Sequence, residues 1–159
     1  ATITGLAAAR SLGADVVVMM DSDGQHDPKD IENVIKPITD GSADFTLGTR
    51  LKHPKGMPLI RRFGNRSMNF LVWLSSGVKT SDSQSGFRAY SRYALDRLHL
   101  STSGYEVCTE ILLAARRAGL RQVEVPIKTI YSTYSKGKGQ PITNAINILL
   151  RLVVKAITG

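Results

Sequence analysis

The sequence predicts an α/β fold with a mostly parallel sheet flanked by helices. The apolar run 16–20 contains three β-branched residues, which is typical of a strand buried on both faces. Segments with helical periodicity alternate with short strand-like segments along the chain, as in folds built around a parallel sheet. The 159 residues are 42% hydrophobic, which is enough for one domain with its own core.

Each predicted element depends on a local signal. Residues 1–12 have the pattern of a helix that Gly13 ends, and residues 15–20 form the first strand. Asp27 is the expected N-cap of a helix over 28–40, with Pro28 at its first position. The later elements are a strand at 43–48, a helix at 59–76, a strand at 86–91, a helix from 103 to 119 with a capping-box start, a strand at 122–127 extended to 134, and a helix from Pro141.

Composition limits the partners of the protein. Twenty-one Lys and Arg against 13 Asp and Glu give a net charge of +8, which favours an anionic partner. Aromatic residues make up only 6%, and no motif for reading or stacking bases is recognisable, which argues against nucleic acid. The single cysteine, Cys108, excludes an intrachain disulfide, so we expect a small buried residue and a reducing cytoplasmic setting.

The first functional motif follows the first strand, where Asp21 and Asp23 stand one residue apart before Gly24. Ligand-binding groups gather at the carboxyl ends of parallel strands, and paired carboxylates favour Mg²⁺ or Mn²⁺ shared with substrate phosphates. One alternative is plain turn chemistry, since Asp and Gly both suit turns. A calcium-binding loop is excluded, because the third oxygen ligand before the Gly and the later Glu that it requires are absent. A metal-dependent phosphatase would use Asp21 as its nucleophile.

The second motif is Asp82-Ser83-Gln84-Ser85-Gly86-Phe87-Arg88. Ser85 and Gly86 favour a tight turn that a ligand can approach closely, and Arg88 offers a planar fork for a phosphate or a carboxylate. The alternative is a structural turn in which Arg88 forms an ion pair with Asp82.

Together the strings Asp-x-Asp-Gly-Gln-His-x-Pro at 21–28 and Asp-x-x-Ser-Gly-Phe-Arg at 82–88 resemble family-two glycosyltransferases, in the branch that transfers sugars to polyprenyl phosphates and includes dolichyl-phosphate mannose synthases. The resemblance covers residues 3–157. It implies a GT-A, Rossmann-like fold and inverting transfer of a hexose from GDP-mannose or UDP-glucose to dolichyl phosphate. It also implies that nucleotide-binding units upstream are missing, so that 1–140 is the C-terminal two thirds of the catalytic domain.

The resemblance also implies roles for single residues. Arg50 ends a string similar to the family's Gly-Ser-Arg, and Ser135-Lys136 is similar to a loop that closes over the site. Relatives often carry an arginine a few residues before that loop, but residues 131–134 contain no arginine. The metal ligands would be Asp21, Asp23 and Gln25, the catalytic residues Asp23, Arg50 and Arg88, and the substrate-binding residues Asp21, Arg50, Arg61, Asn65, Asp82, Ser85, Arg88, Ser135 and Lys136.

The predicted binding site for the acceptor lies in residues 61–66. Arg61 and Asn65 lie four residues apart, on one helix face, and resemble the family's acceptor-phosphate site. An anionic acceptor needs no general base. The alternative is a relative with a sugar or protein acceptor, which needs a carboxylate base, and Glu110 is the candidate.

The last segment, 141–159, predicts an amphipathic helix. Polar residues recur every three or four positions and leave a broad apolar face, too short for the roughly 20 residues that span a bilayer. We expect it to lie on the cytoplasmic face of a membrane; the alternative is a core helix or a contact between copies in a homo-oligomer.

Overall fold

The computed structural model describes residues 1–50, 59–101 and 107–130. The predicted start of the 103–119 helix, the loop with Ser135 and Lys136, and the predicted helix in 141–159 lie outside the described residues, as does the side chain of Arg61.

The described elements follow the predicted order. They are α1 (Thr2–Ser11), β1 (Val16–Met19), a 3₁₀ turn (Pro28–Asp30) leading into α2 (Ile31–Thr39), β2 (Phe45–Thr49), α3 (Leu59–Ser76), β3 (Arg88–Ser91), α4 (Arg92–Arg97), α5 (Val107–Arg117) and β4 (Gln122–Pro126). The predicted cap is confirmed, because the Asp27 side chain accepts a hydrogen bond from the Lys29 amide. Helix α4 was not predicted. Its signal is Ser91, whose hydroxyl caps it by accepting from the Ala94 amide.

The sheet is mixed, with strand order β1-β3-β2-β4. Strand β3 is antiparallel to both of its neighbours, β1 and β2, whereas β2 and β4 are parallel. Three of the four described strands therefore run in one direction, as the prediction of a mostly parallel sheet requires. The exception is β3, which lies between β1 and β2 and runs against them.

Two hydrophobic clusters cover the two faces of the sheet. One contains Phe45, Leu47 and Tyr90 together with residues of α1, α3, α4 and α5, and the other joins Val34 and Ile38 of α2 to the opposite face. The expectation that β1 is buried on both faces is only half met, because its four residues are partly buried. Among the described strands β1 is an edge, so one side lacks a neighbouring strand.

The strand predicted for 122–134 is shorter than expected. Strand β4 ends at Pro126, and among the described residues 127–130 only Thr129 forms an isolated bridge, with His26. The backbone amides of Lys128 and Ile130 do not pair with a strand. The Lys128 amide donates to the buried Asp30 carboxylate at 2.7 Å, and the Ile130 amide donates to the Gln25 carbonyl at 2.9 Å. This segment therefore runs along the turn that follows β1.

Candidate active site

The two sequence motifs meet at one edge of the sheet. Because β1 and β2 run in the same direction, their carboxyl ends lie at the same edge, and β3 begins there because it runs in the opposite direction. Arg88, the first residue of β3, is paired with Met19 near the end of β1 and with Leu47 near the end of β2. The turn after β1, residue 50 after β2 and the loop before β3 consequently converge.

The turn after β1 presents two exposed carboxylates. The side chain of Asp21 is 58% exposed, and Asp23 is also exposed. One oxygen of Asp23 accepts the Gln25 amide at 3.0 Å, and Gly24 has a φ of 75°, a backbone conformation that favours glycine. The turn expected of an Asp-x-Asp-Gly segment is therefore present, and it holds the carboxylates at the sheet edge.

These residues fit a divalent cation that completes its shell from substrate. Within 1–50, 59–101 and 107–130, no group of three or more His, Cys, Asp and Glu is arranged to hold a metal ion. Asp21 and Asp23 supply two hard oxygen ligands, and Gln25 is partly buried beside them. Mg²⁺ is commonly bound through one or two carboxylates, with water and phosphate in the remaining positions. The donor set suits that arrangement and not an all-protein cage.

The surroundings of Asp21 keep its carboxylate ionised. The buried His26 ring places Nε2 3.7 Å from Oδ2 of Asp21, which is long for a hydrogen bond but close for an attraction between the two groups. This contact with His26, together with the charges of Arg50 and Arg88, lowers the pKa of the Asp21 carboxyl below its usual value although partial burial opposes the shift. The prediction that His26 shapes this turn agrees with its position, with its edge against the Phe87 ring at 5.2 Å between centroids.

Gly86 brings the second motif against the first. A Cβ added to Gly86 would overlap the carboxylate of Asp21, so only glycine leaves that carboxylate its observed position. The sequence predicts that a ligand can approach the backbone at Ser85-Gly86, and the group that lies against Gly86 in the structure is the Asp21 carboxylate.

Arg50 is oriented by Asp82. Its Nε and Nη2 donate to the two oxygens of the buried Asp82 carboxylate at 2.7 and 2.8 Å, and its backbone amide donates at 3.1 Å. The Arg50 side chain remains 17% exposed. A bidentate pair of this kind fixes the direction of the guanidinium. The structure therefore brings these two predicted residues together, and it excludes the alternative in which Asp82 pairs with Arg88.

Arg88 and Ser85, predicted to contact substrate, are both buried. The guanidinium of Arg88 is fully buried and donates to the carbonyls of Ser85, Ser83 and Cys108 at 2.8, 2.9 and 3.1 Å. Ser85 is also without exposed surface, and its hydroxyl accepts the Phe87 amide. A phosphate contact would require breaking bonds that satisfy a buried cation. We therefore interpret both residues as positioning residues for the loop before β3 and not as substrate contacts.

A second polar network was missed at the sequence level. Glu124 of β4 accepts from the Ser81 amide and hydroxyl at 2.7 and 2.6 Å and from the Thr80 hydroxyl at 2.8 Å. Asn69 of α3 donates to the Ser81 carbonyl and accepts from the Ser83 amide. The available signals were an acid between two valines in a strand and an asparagine inside an apolar helical run. These bonds join β4, α3 and the loop that contains Asp82.

The predicted acceptor residues lie on α3. Asn65 is partly buried and lies one turn before Asn69, on the face that contacts the loop of the second motif. Glu110, the candidate base of the alternative, uses one oxygen to accept from the Ser101 amide and hydroxyl at 2.9 and 2.8 Å. That pairing supports a structural role for Glu110. Across the described helices, none is both long enough and apolar enough to cross a bilayer.

Comparison with known proteins identifies related glycosyltransferases. The model of glycosyl transferase family 2 matches residues 1–98. The UDP-N-acetylglucosamine–dolichyl-phosphate N-acetylglucosaminyltransferase of Methanococcus voltae is 45% identical over 97% of this chain and 63% of its own length. The glycosyltransferase AglJ of Haloferax volcanii is 29% identical over 91% of this chain and 48% of its own length. The chain therefore spans less than two thirds of these curated relatives.

A solved structure shows the same fold. Glucosyl-3-phosphoglycerate synthase of M. tuberculosis superposes with a TM-score of 0.57 over 96% of this chain and 53% of that chain, at 20% identity. The predicted GT-A fold is thus confirmed. With the two motifs at one sheet edge and a family model that covers more than half of its residues, this chain belongs to glycosyl transferase family 2.

Proposed function

We propose that the protein transfers a sugar from a nucleotide sugar to a polyprenyl phosphate such as dolichyl phosphate, with Mg²⁺ or Mn²⁺ bound at Asp21 and Asp23 and assisted by Gln25. The observation that carries the proposal is the convergence of two exposed carboxylates with the oriented guanidinium of Arg50 at one sheet edge. The metal, when bound, would supply charge neutralisation for the leaving nucleoside diphosphate.

The chain's own residues serve the donor in two ways. Asp21, held ionised beside His26, and Asp23 would hold the metal ion, whose charge would retain the diphosphate at the sheet edge. Arg50, aligned by Asp82, adds a fixed positive charge next to them, and the loss of Asp82 would leave it without its direction. The second motif thus contributes to donor binding because its Asp82 fixes the orientation of Arg50 in advance.

The acceptor phosphate is anionic at neutral pH and needs no base. Its oxygen would attack the anomeric carbon while the bond to the nucleoside diphosphate oxygen breaks, which inverts the configuration. Arg61 and Asn65 on α3 would orient it, and Ser135 and Lys136 would contact the phosphates. Because Glu110 is engaged with Ser101, the proposal favours an acceptor that requires no base over a sugar or protein acceptor.

The donor is proposed from a relative. The protein of Methanococcus voltae carries UDP-N-acetylglucosamine in its name, and neither GDP-mannose nor UDP-glucose has such support among the relatives described above. We therefore place UDP-N-acetylglucosamine first among donors to test. We further propose that the protein works at the cytoplasmic face of a membrane and that its positive charge serves phosphate and lipid, not nucleic acid.

Label transfer into lipid tests the proposal. The protein is incubated with Mg²⁺ or Mn²⁺, polyprenyl phosphate and radiolabelled UDP-N-acetylglucosamine, GDP-mannose or UDP-glucose, and label extracted into organic solvent is counted. Asp23→Asn should keep the turn but reduce transfer by about 100-fold or more, since it removes one of the two negative charges that attract the metal. The control is Asp27→Asn, which changes a second carboxylate with the same type of backbone bond four residues away and should leave transfer unchanged.

The outcomes separate the alternatives. Metal-dependent labelling that is lost only in Asp23→Asn supports the reaction and identifies the donor. Equal losses in both variants would assign the effect to turn structure. A folded, metal-binding protein that labels no lipid with any donor would disprove the lipid acceptor, and soluble acceptors with Glu110→Gln as the test variant would come next.

A further inference from the structure

The loop before β3 is bonded to charged side chains of two strands. Glu124 of β4 and Arg88 of β3 stand on either side of Leu47, because Leu47 pairs with Glu124 in the parallel ladder and with Arg88 in the antiparallel one. Residues paired across a sheet point to the same face, so these three side chains form one row. Leu47 is fully buried in the core cluster. Two opposite charges therefore flank a core leucine on this face of the sheet.

Each charge bonds to a different part of the loop. The Oε1 atom of Glu124 accepts from the Thr80 hydroxyl and the Ser81 amide at 2.8 and 2.7 Å, and its Oε2 atom accepts from the Ser81 hydroxyl at 2.6 Å. The Arg88 guanidinium donates to two carbonyls later in the loop. Asp82 lies between these two sets of bonds.

Thr49 extends this bonding to the residue before Arg50. Its buried hydroxyl lies 2.7 Å from the Ser81 hydroxyl. Because the Ser81 hydroxyl donates its only proton to the Glu124 carboxylate, Thr49 is the donor in that contact. The chain of hydroxyls from Thr49 through Ser81 to Glu124 therefore runs in one direction. Its first two members are the sequence neighbours of Arg50 and Asp82, which form the bidentate pair.

The contacts of Glu124 suit a residue that acts on the loop and not on substrate. Both of its oxygens accept hydrogen bonds from protein groups. The Thr80 hydroxyl, which donates to Glu124, in turn accepts from the Asp82 amide at 3.4 Å. A carboxylate next to a buried leucine is costly unless its hydrogen bonds are made, and here the loop makes them. The carboxylate and the start of the loop therefore hold one another in place.

We propose that Glu124 is a positioning residue that sets the direction of the Arg50 guanidinium. Its carboxylate fixes Thr80 and Ser81, these fix the backbone at Asp82, and the Asp82 carboxylate aligns Arg50. A guanidinium that is aligned before the ligand arrives avoids the cost of ordering it during binding. The inference rests on the proposed function for its purpose, since Arg50 would face the nucleoside diphosphate.

The NMR signal of the Arg50 Nε–H group tests the alignment without any substrate. The signal is assigned by its absence in Arg50→Lys, and its rate of hydrogen exchange with water is measured. Because the bond to Asp82 protects this proton, we expect exchange to be about tenfold faster in Glu124→Ala. Glu124→Gln keeps the side-chain shape but presents an NH₂ group to one of the donors, so we expect a smaller increase. This variant keeps the test in place if Glu124→Ala does not fold.

Asp44→Asn is the matched control. The Asp44 carboxylate accepts three hydrogen bonds from Arg121, from its backbone amide at 2.9 Å and from its guanidinium at 3.1 and 2.8 Å. Asp44 and Arg121 directly precede β2 and β4, so this carboxylate joins the same two strands at their other ends. Its loss should lower stability in urea denaturation but leave the Arg50 signal unchanged.

Transfer kinetics test the purpose of the alignment. We expect the KM for the nucleotide sugar to rise about tenfold in Glu124→Ala, while the KM for the polyprenyl phosphate stays unchanged. In an Arg50→Lys background, Glu124→Ala should add no further rise, because the guanidinium that it orients is absent. A purely structural role would lower the amount of active protein and leave both KM values in place.

Two results would overturn the proposal. The first is an unchanged Arg50 signal in folded Glu124→Ala or Glu124→Gln, which would show that Asp82 aligns Arg50 without help from Glu124. The second is a changed signal with an unchanged KM for the nucleotide sugar, or an equal rise of that KM in Asp44→Asn, which would make the role of Glu124 structural only. Absence of transfer with every donor would count against the proposed function alone, and the Arg50 signal would still decide whether Glu124 aligns it.

Discussion

The turn after β1 and the loop before β3 both carry charged residues, but those of the turn are exposed and those of the loop are buried. Asp21 and Asp23 remain exposed, and only one backbone amide bonds to Asp23. Asp82 and Arg88 have no exposed surface, and the side chain of each makes three hydrogen bonds with protein groups. Both segments carry motifs at the sequence level, yet only the first leaves charge available to a ligand.

The difference follows from the cost of burying charge. A buried ion must be paired and hydrogen-bonded within the protein, so its bonding capacity is already used. An exposed carboxylate exchanges water for a cation at much lower cost. We therefore propose that the turn after β1 is the part that binds the ligand and that the loop before β3 is the part that positions it. Gly86 is the point where the two segments touch.

The largest effect should come from Asp82→Asn. Loss of this carboxylate removes the buried bidentate pair with the mostly buried Arg50 guanidinium, and we expect the free energy of unfolding to fall by about 2–3 kcal/mol. Urea denaturation measures it. Asp96→Asn is the control, because Asp96 pairs with Arg10 and Arg92 on the surface at 3.2 and 3.5 Å and should contribute less than about 1 kcal/mol. Equal losses in the two variants would contradict the distinction between a buried and an exposed pair.

A smaller effect should follow from Gly86→Ala. The added methyl group must displace the Asp21 carboxylate, so we expect sugar transfer to drop about tenfold while the protein stays folded, since Asp21 is free to move towards solvent. The measurement is the label-transfer assay. Gly5→Ala, at a helical position with nothing within 4 Å of the new Cβ, should leave transfer unchanged and stabilise α1. Full activity in Gly86→Ala would show that the position of Asp21 is unimportant.

The smallest effect concerns pH. Because the folded-state pKa of Asp21 is lowered, chiefly through His26, its contribution to stability is present above the unfolded-state pKa and is lost as pH falls through the folded-state value. We expect it to amount to less than about 1 kcal/mol, since the side chain is largely exposed and solvent screens it. Carboxyl NMR titration should give a midpoint below the usual value of about 3.9. His26→Phe should raise that midpoint, and an unshifted midpoint in the unmodified protein would contradict the assignment.

Local signals in the sequence were sufficient for most elements. The cap at Asp27, the glycine that ends α1 and the apolar run of β1 act within a few residues, so their effects can be predicted without knowledge of the rest of the chain. The antiparallel direction of β3 was not predictable in this way. Its four residues have no pattern that distinguishes a parallel from an antiparallel strand, because direction depends on the path of the chain between strands.

The same division applies to the site. The residues Asp21, Asp23, Arg50 and Asp82 were predicted from motifs, whereas the roles of Arg88, Asn69 and Glu124 appeared only with their partners. Arg88 is a phosphate-binding type of residue that instead bonds to three carbonyls. A motif specifies which side chains are present, but not which of them are buried.

The sequence by itself determined the α/β character, the family motifs and the carboxylate pair after β1, because these depend on residue type and short-range spacing. Tertiary structure alone decided that Asp82 aligns Arg50, that Gly86 lies against Asp21, and that Glu124 bonds to Ser81. These features join residues more than thirty positions apart. Distances of that kind are set by the packing of the whole domain and leave no local pattern in the chain.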